Sequence, residues 1–265
     1  MMLPCALACI RPAPPDTVTS VFLLASCAAV GVLIGTVGIG GVLLVPALMT
    51  FSGLSVHEAA ATALFSFLFT GLAGGWAFHR RGTLDGKVAG PVCASALLLG
   101  FAGASLGDRI PAALLTRIIA AILSGAGLYL LLRSVRGRSE GEGRHRGSPG
   151  SLLGIGAVAG FGAGVSGAGG PLFSVPLMLA LHFDPLVAIG TGQVVQIASS
   201  LSGSLGHMAS GSIHYGLGLL ITVAELAGTL LGVRLAHAAR AGQLRLLAAA
   251  LCLASALWMA IRAGS

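Results

Sequence analysis

The run Gly35-Thr36-Val37-Gly38-Ile39-Gly40-Gly41-Val42-Leu43-Leu44-Val45-Pro46 constrains this chain most. It is too apolar for a surface loop and too rich in glycine for a comfortable helix. Each glycine inside a helix costs about 1 kcal/mol against alanine, and four stand here within seven positions. A near-copy follows at Gly164-Val165-Ser166-Gly167-Ala168-Gly169-Gly170-Pro171-Leu172-Phe173-Ser174-Val175-Pro176. Gly35, Gly38, Gly40 and Gly41 match Gly164, Gly167, Gly169 and Gly170 at one constant offset of 129. Two copies of a helix-breaking run in apolar surroundings set the terms for everything else.

Composition identifies those surroundings. The chain is 55% hydrophobic and 9% charged, where an ordinary soluble domain carries about 25% charged residues. Its mean hydropathy is +0.95. Apolar segments fall at 18–37, 42–53, 59–78, 88–107, 112–133, 152–166, 171–183, 187–207, 215–236 and 243–261. The expected fold is an all-α polytopic integral membrane protein. Segments 42–53 and 171–183 each follow a glycine run and fall short of the roughly 20 residues that a spanning helix needs. They are predicted to be half-helices, re-entrant hairpins or parts of broken spans. That leaves about eight transmembrane helices, in a range of roughly seven to ten.

The chain divides into an N-terminal segment (1–17), a first membrane repeat (18–133), a basic polar linker (134–151) and a second membrane repeat (152–262). Residues 1–16 lack the charged start and small-residue cleavage site of a signal peptide. The stretch from Arg133 to Ser151 holds five arginines and five glycines. Such a stretch reads as a flexible loop on the cytoplasmic side, able to touch anionic lipid heads. The halves match beyond the glycines. Ala61-Thr62 corresponds to Gly190-Thr191, and Gly103 and Gly107 correspond to Gly228 and Gly232 at an offset of 125. Duplication of this kind is a transporter signature, and the small-xxx-small spacings suit close helix crossings. If the repeats are inverted, Arg234, Arg240 and Arg245 join Arg80 and Arg81 on the cytoplasmic side. Parallel repeats would put them outside; inversion in turn puts Arg11 and Arg262 on the wrong side, so the positive-inside rule favours inversion only slightly.

Several function classes drop out. The net charge of +7 comes from fourteen arginines and one lysine, mostly between apolar runs, where such charges set topology rather than hold nucleic acid. Cys5, Cys9, Cys27, Cys93 and Cys252 show no CxxC or Cys/His spacing. The histidines are scattered, and no metal or other cofactor is implied. Gly38-x-Gly40 lacks the rest of a dinucleotide fingerprint, and there is no GxxxxGK[ST] for ATP. Ser166 does not sit in a GxSxG elbow. No enzyme is expected.

The informative polar residues lie within membrane segments. Glu225 falls in the middle of 215–236, where an ionised carboxylate is expensive. Its proton-bound form is the cheaper one, which makes it a proton-coupling candidate or a hydrogen-bonded structural group. Thr191, Gln193 and Gln196 give 187–207 a polar stripe, suited to interhelical hydrogen bonds or to a substrate path. No lysine or arginine falls in mid-membrane, so an anion would have to be held by backbone dipoles. Helix breaks free N–H groups at the start of the next segment, and these with the helix dipole can hold an anion. The glycines could instead serve only tight crossing of broken helices. The candidate substrate-binding set is Gly38, Gly40, Gly41, Thr62, Ser166, Gly167, Gly169, Gly170, Thr191, Gln193 and Gln196.

The sequence resembles the sulfite exporter TauE/SafE family, also described as four-transmembrane-segment and sulfite-uptake-permease-like. The resemblance rests on Gly35-xx-Gly38-x-Gly40-Gly41 with Pro46 and Ala61-Thr62, and on the copy from Gly164 to Pro176 with Gly190-Thr191. It covers about residues 18–261. Val42 and Pro171 replace the third glycine of the family's usual run. The resemblance implies a secondary transporter, permease or exporter of a small sulfur-containing anion such as sulfite or a sulfonate. It would lie in the inner (cytoplasmic) membrane as a multi-pass protein, with the lipid bilayer as its partner and no nucleic acid. A homo-oligomer, an uncoupled anion facilitator and a membrane subunit of a larger complex stay open.

Overall fold

The computed structural model describes residues 17–107, 121, 123–132, 147–166, 169–208 and 213–264. The described chain is helical: α1 (Thr17–Val37), α2 (Gly41–Ser52), α3 (Val56–Arg80), α4 (Gly86–Gly107), α5 (Leu123–Leu132), α6 (Pro149–Ser166), α7 (Pro171–Ala180), α8 (Pro185–Met208), α9 (Tyr215–Ala238) and α10 (Ala241–Gly264). Each apolar segment read from the sequence holds a helix, with ends shifted by a few residues; α7 stops at Ala180, short of the expected 183, and of the expected segment 112–133 the part before Leu123 lies, but for residue 121, outside the described residues. Most of the basic linker lies outside the described residues.

Local chemistry fixes the ends. Gly53 closes α2 in the left-handed region at φ 65°, where glycine carries no Cβ penalty. Ser55 then opens α3 with a capping box, its side chain accepting from Glu58 N–H while the Glu58 carboxylate accepts from the Ser55 N–H. Pro171 occupies the first turn of α7, where its missing N–H costs nothing. Before α8, the Asp184 carboxylate accepts from the Leu186 and Val187 N–H groups.

Among the described residues, α1, α3, α4, α9 and α10 contain windows long and apolar enough to cross a membrane. At 24 residues α8 is as long as α9, but its glutamines and serines lower its hydropathy and are buried. The outward surface is apolar instead, with Leu98 70% and Val223 68% exposed. Exposed leucine on this scale is the surface of a protein solvated by lipid.

The first helix of each half packs on the other half. On one side α1 lies along α9, and on the other α6 lies along α4. A β-carbon on Gly31 or Gly35 would collide with the backbone of Glu225 or Thr229, and one on Gly228 with Ala28. In the same way Gly156 and Gly160 sit against Val92 and Ala96. Residue numbers rise together along both pairs, so each pair runs in one direction. Helices α3 and α8 run in opposite directions, Gly71, Gly74 and Phe78 meeting Ile197, Gln193 and Gly190. Near the chain's end, Gly127 of α5 meets Ala249 and Cys252 of α10.

The α1–α9 contact makes opposite predictions for two glycines on α9. Gly228→Ala should lower the melting temperature in detergent, as overpacking costs about 1–3 kcal/mol. At Gly216 a β-carbon would meet nothing within 4 Å; Gly216→Ala should hold or raise stability, by about 0.5–1 kcal/mol. Equal responses in thermal unfolding would show that the α1–α9 contact is not tight.

Candidate functional site

Helix α1 stops where Gly38 enters the left-handed region, at φ 76°. A side chain there would be strained, and a β-carbon would also come within 2.9 Å of Val175 Cγ2. The Gly38 N–H donates back to the Ile34 carbonyl at 2.9 Å. That carbonyl receives a second hydrogen bond, 2.8 Å from Gln193 Nε2 on α8. Gly74 of α3 leaves room for the amide, since a β-carbon there would strike Gln193 Oε1.

The second break is built from different atoms. Gly169 adopts φ 83° and lies against the Phe67 ring. The Gly170 N–H donates to Ser199 Oγ at 3.1 Å, and that hydroxyl donates to the Gln196 carbonyl. Gln196 Nε2 reaches across to α3, donating to the Phe67 carbonyl at 3.1 Å and to Thr70 Oγ1 at 2.9 Å. Among the described residues the left-handed glycines of the two runs are Gly38 and Gly169; Gly40, 129 positions before Gly169, has φ −139° instead.

The two breaks meet. Gly38 faces the first turns of α7, where a β-carbon on it would come within 2.9 Å of Val175 and 3.6 Å of Pro171. Val37, Ile39 and Val42 fall in one hydrophobic cluster with Leu172, Phe173 and Val175. Around them, Ser174 Oγ, Thr191 Oγ1 and Gln193 Oε1 are buried without a hydrogen-bond partner.

Other candidates stand apart. Thr62 accepts from the His214 N–H at 3.2 Å, beside the pair of His214 Nε2 and Glu58 Oε1 at 3.3 Å, where α3 and α9 begin. Glu225 is fully buried on α9, with Cys27 of α1 and Ser66 of α3 beside it. Ser66 directs its proton to the Ala63 carbonyl at 2.9 Å, and although its hydroxyl lies within reach of the Glu225 carboxyl, neither carboxyl oxygen makes a well-formed hydrogen bond among the described residues. Among the described residues Glu225 is the only buried residue of an ionisable acid or base type apart from cysteine. Gly40 sits against Val30 and Ile34 of α1, and Gly41 begins α2. The Ser166 side chain and Gly167 lie outside the described residues.

Residues 22–259 match the family described as Sulfite exporter TauE/SafE. The chain belongs to that family. Among curated proteins it is 27% identical over 208 residues to the probable membrane transporter protein YdhB of Bacillus subtilis, covering 77% of this chain and 85% of that protein. It is 28% identical over 221 residues to the probable membrane transporter protein YunE of the same organism, covering 70% and 78%. With the probable membrane transporter protein YfcA of Escherichia coli K12 it shares 25% over 198 residues, covering 75% and 73%. No solved structure matches the chain. Family membership and the helices together make this a multi-pass membrane protein of a transporter family.

Ser199, Thr70 and Ser66 escaped the sequence reading of this TauE/SafE member. Ser199 could have been found, because it continues the Gln193 and Gln196 stripe by three residues on one helix face. Thr70 and Ser66 matter only through contacts with other helices, which no spacing along α3 reveals. Removing one partner from a buried hydrogen bond costs about 1–3 kcal/mol. Gln193→Leu and Gln196→Leu are therefore each expected to lower the melting temperature in detergent, where an unchanged value for either would mean its amide satisfies nothing.

Proposed function

We propose that this protein is a secondary transporter of a small anion, sulfite or a sulfonate among the candidates, working in the cytoplasmic membrane and acting as no enzyme. The observation that carries the reading is the contact of the first break with the start of α7, in a core that buries no lysine or arginine among the described residues. Half-helices α2 and α7 begin at the breaks, and their first-turn N–H groups with the helix dipoles offer positive potential without a buried cation. The unpartnered Ser174, Thr191 and Gln193 oxygens supply further polar atoms beside it. Gly38, Gly169, Gly170, Gln193 and Gln196 form the centre of the proposed site. Thr62 is better assigned to the α3–α9 end contact.

We read the halves as inverted repeats. Exchanged pairing of α1 with α9 and α6 with α4, and opposite running of α3 and α8, support this. So does the gathering of Arg80, Arg81 and Arg234 around one cavity, which agrees with a single cytoplasmic face rich in arginine. Alternating access would then rock one set of helices against the other about the breaks.

Glu225 is the proposed proton-coupling group, since a buried carboxyl without a fixed partner can exchange its proton as its surroundings open. The test offers radiolabelled sulfite, sulfate, thiosulfate and a taurine-type sulfonate to proteoliposomes with and without a pH gradient. Gradient-driven accumulation of at least one is expected, and Glu225→Gln should reduce it to the level without a gradient. Flux that ignores the gradient in the parent protein would instead favour an uncoupled facilitator. Gly169→Leu is expected to abolish flux while the protein still inserts in the membrane; unchanged flux would rule the second break out of the site.

A further inference from the structure

A cavity of about 440 Å³ opens where α3 and α9 end, and no residue of the proposed transport site lines it. Arg80, Arg81 and Arg234 line it together with Trp76, Leu230 and Val233. All three arginines are exposed, and among the described residues none of them forms an ion pair with a carboxylate. The Arg80 guanidinium stands 4.9 Å from the centre of the Trp76 ring. Its other face and its N–H groups are left for a ligand. Three guanidinium groups around one cavity suit a tetrahedral oxyanion, which takes paired N–H donors from arginine in bidentate fashion.

The rest of the wall is apolar and continues onto the lipid-facing surface. Trp76 is 57% exposed, and Leu72 one turn deeper in the bilayer is 51% exposed; across the cavity Leu230 and Leu231 are exposed on α9. Tryptophan beside arginine at a helix end marks the interface between headgroups and acyl chains. A soluble anion would find only part of this wall useful. An amphiphile with a phosphate head and an acyl tail would use all of it.

We propose that this cavity is an oxyanion site that takes the phosphate of an anionic phospholipid, with an acyl chain lying along Leu72, Trp76 and Leu230. The arginines hold the head by charge and hydrogen bonds, and the helix ends favour cations there as well. Bound in this way, the lipid joins the ends of α3 and α9.

The chain has two tryptophans, so Trp258→Phe leaves Trp76 as the only reporter. This protein is reconstituted in vesicles of phosphatidylcholine with a fixed fraction of either brominated phosphatidylglycerol or brominated phosphatidylcholine. Deeper quenching of Trp76 by the brominated phosphatidylglycerol is expected, and R80Q/R81Q/R234Q should abolish that preference. Unchanged quenching by brominated phosphatidylcholine in the variant would show that Trp76 still sits at the interface, and R234Q alone gives a milder variant expected to weaken the preference. Equal quenching by the two lipids in the parent, or a preference that survives the triple substitution, overturns the proposal. Millimolar inorganic phosphate, compared with chloride at matched ionic strength, separates the two sources of the oxyanion. Loss of the preference in phosphate alone would assign the site to a soluble anion and overturn the lipid assignment; its persistence supports the lipid.

Discussion

A backbone that breaks inside a bilayer must find hydrogen-bond partners within the protein, because lipid offers none. This structure depends on how that demand is met. Where α1 ends, the Ile34 carbonyl receives both the Gly38 N–H and the Gln193 amide. Where α7 begins, the Gly170 N–H is taken by Ser199. Both side chains come from α8, so α8 has to carry polar groups and be shielded from lipid. Its place between α3 and α4, with α7 alongside, follows from that chemistry.

The glycines then have two distinct duties. At Gly38 and Gly169 they supply a backbone conformation that other residues rarely adopt. Along α1, α4, α6 and α9 they supply contact, letting helix backbones approach where any side chain would intrude. Helices in lipid gain little from hydrophobic segregation, so such close packing is a main source of their association. Because each close pair takes one helix from each half, neither half can bury its small-residue faces alone.

Much of this was legible in the sequence, for physical reasons that also mark where legibility ends. Apolar run length and glycine clustering are local properties, and they located the helices and both breaks. Capping signals such as Ser55 with Glu58 are local too. The polar stripe on α8 was visible, yet its choice of partners was not. That Gln193 reaches α1 while Gln196 reaches α3 depends on how α8 is rotated between its neighbours. Thr62 looked like the counterpart of Thr191, but the fold gives Thr62 the His214 N–H and leaves Thr191 without a partner. The partner of Thr62 is a backbone N–H at the start of α9, a contact that no spacing along α3 reveals.

The inequality between Thr62 and Thr191 bears on the centre of the molecule. Gln196 and Phe67 are separated by 129 positions, the offset that relates the two glycine runs. On the proposed repeat relation each is the other's counterpart, and they touch. Two positions exchanged by a twofold axis can be in contact only close to that axis. On the proposed inverted relation, the axis therefore passes between α3 and α8 at the Gln196–Phe67 hydrogen bond, with Gly169 against the same phenylalanine ring. An amide on one side and an aromatic ring on the other cannot be equivalent in chemistry. Symmetry would supply the two breaks and their approach to one another, while the departure from it gives one half the polar groups. A transporter built this way can keep similar outward and inward backbones without presenting an identical surface to its substrate in both.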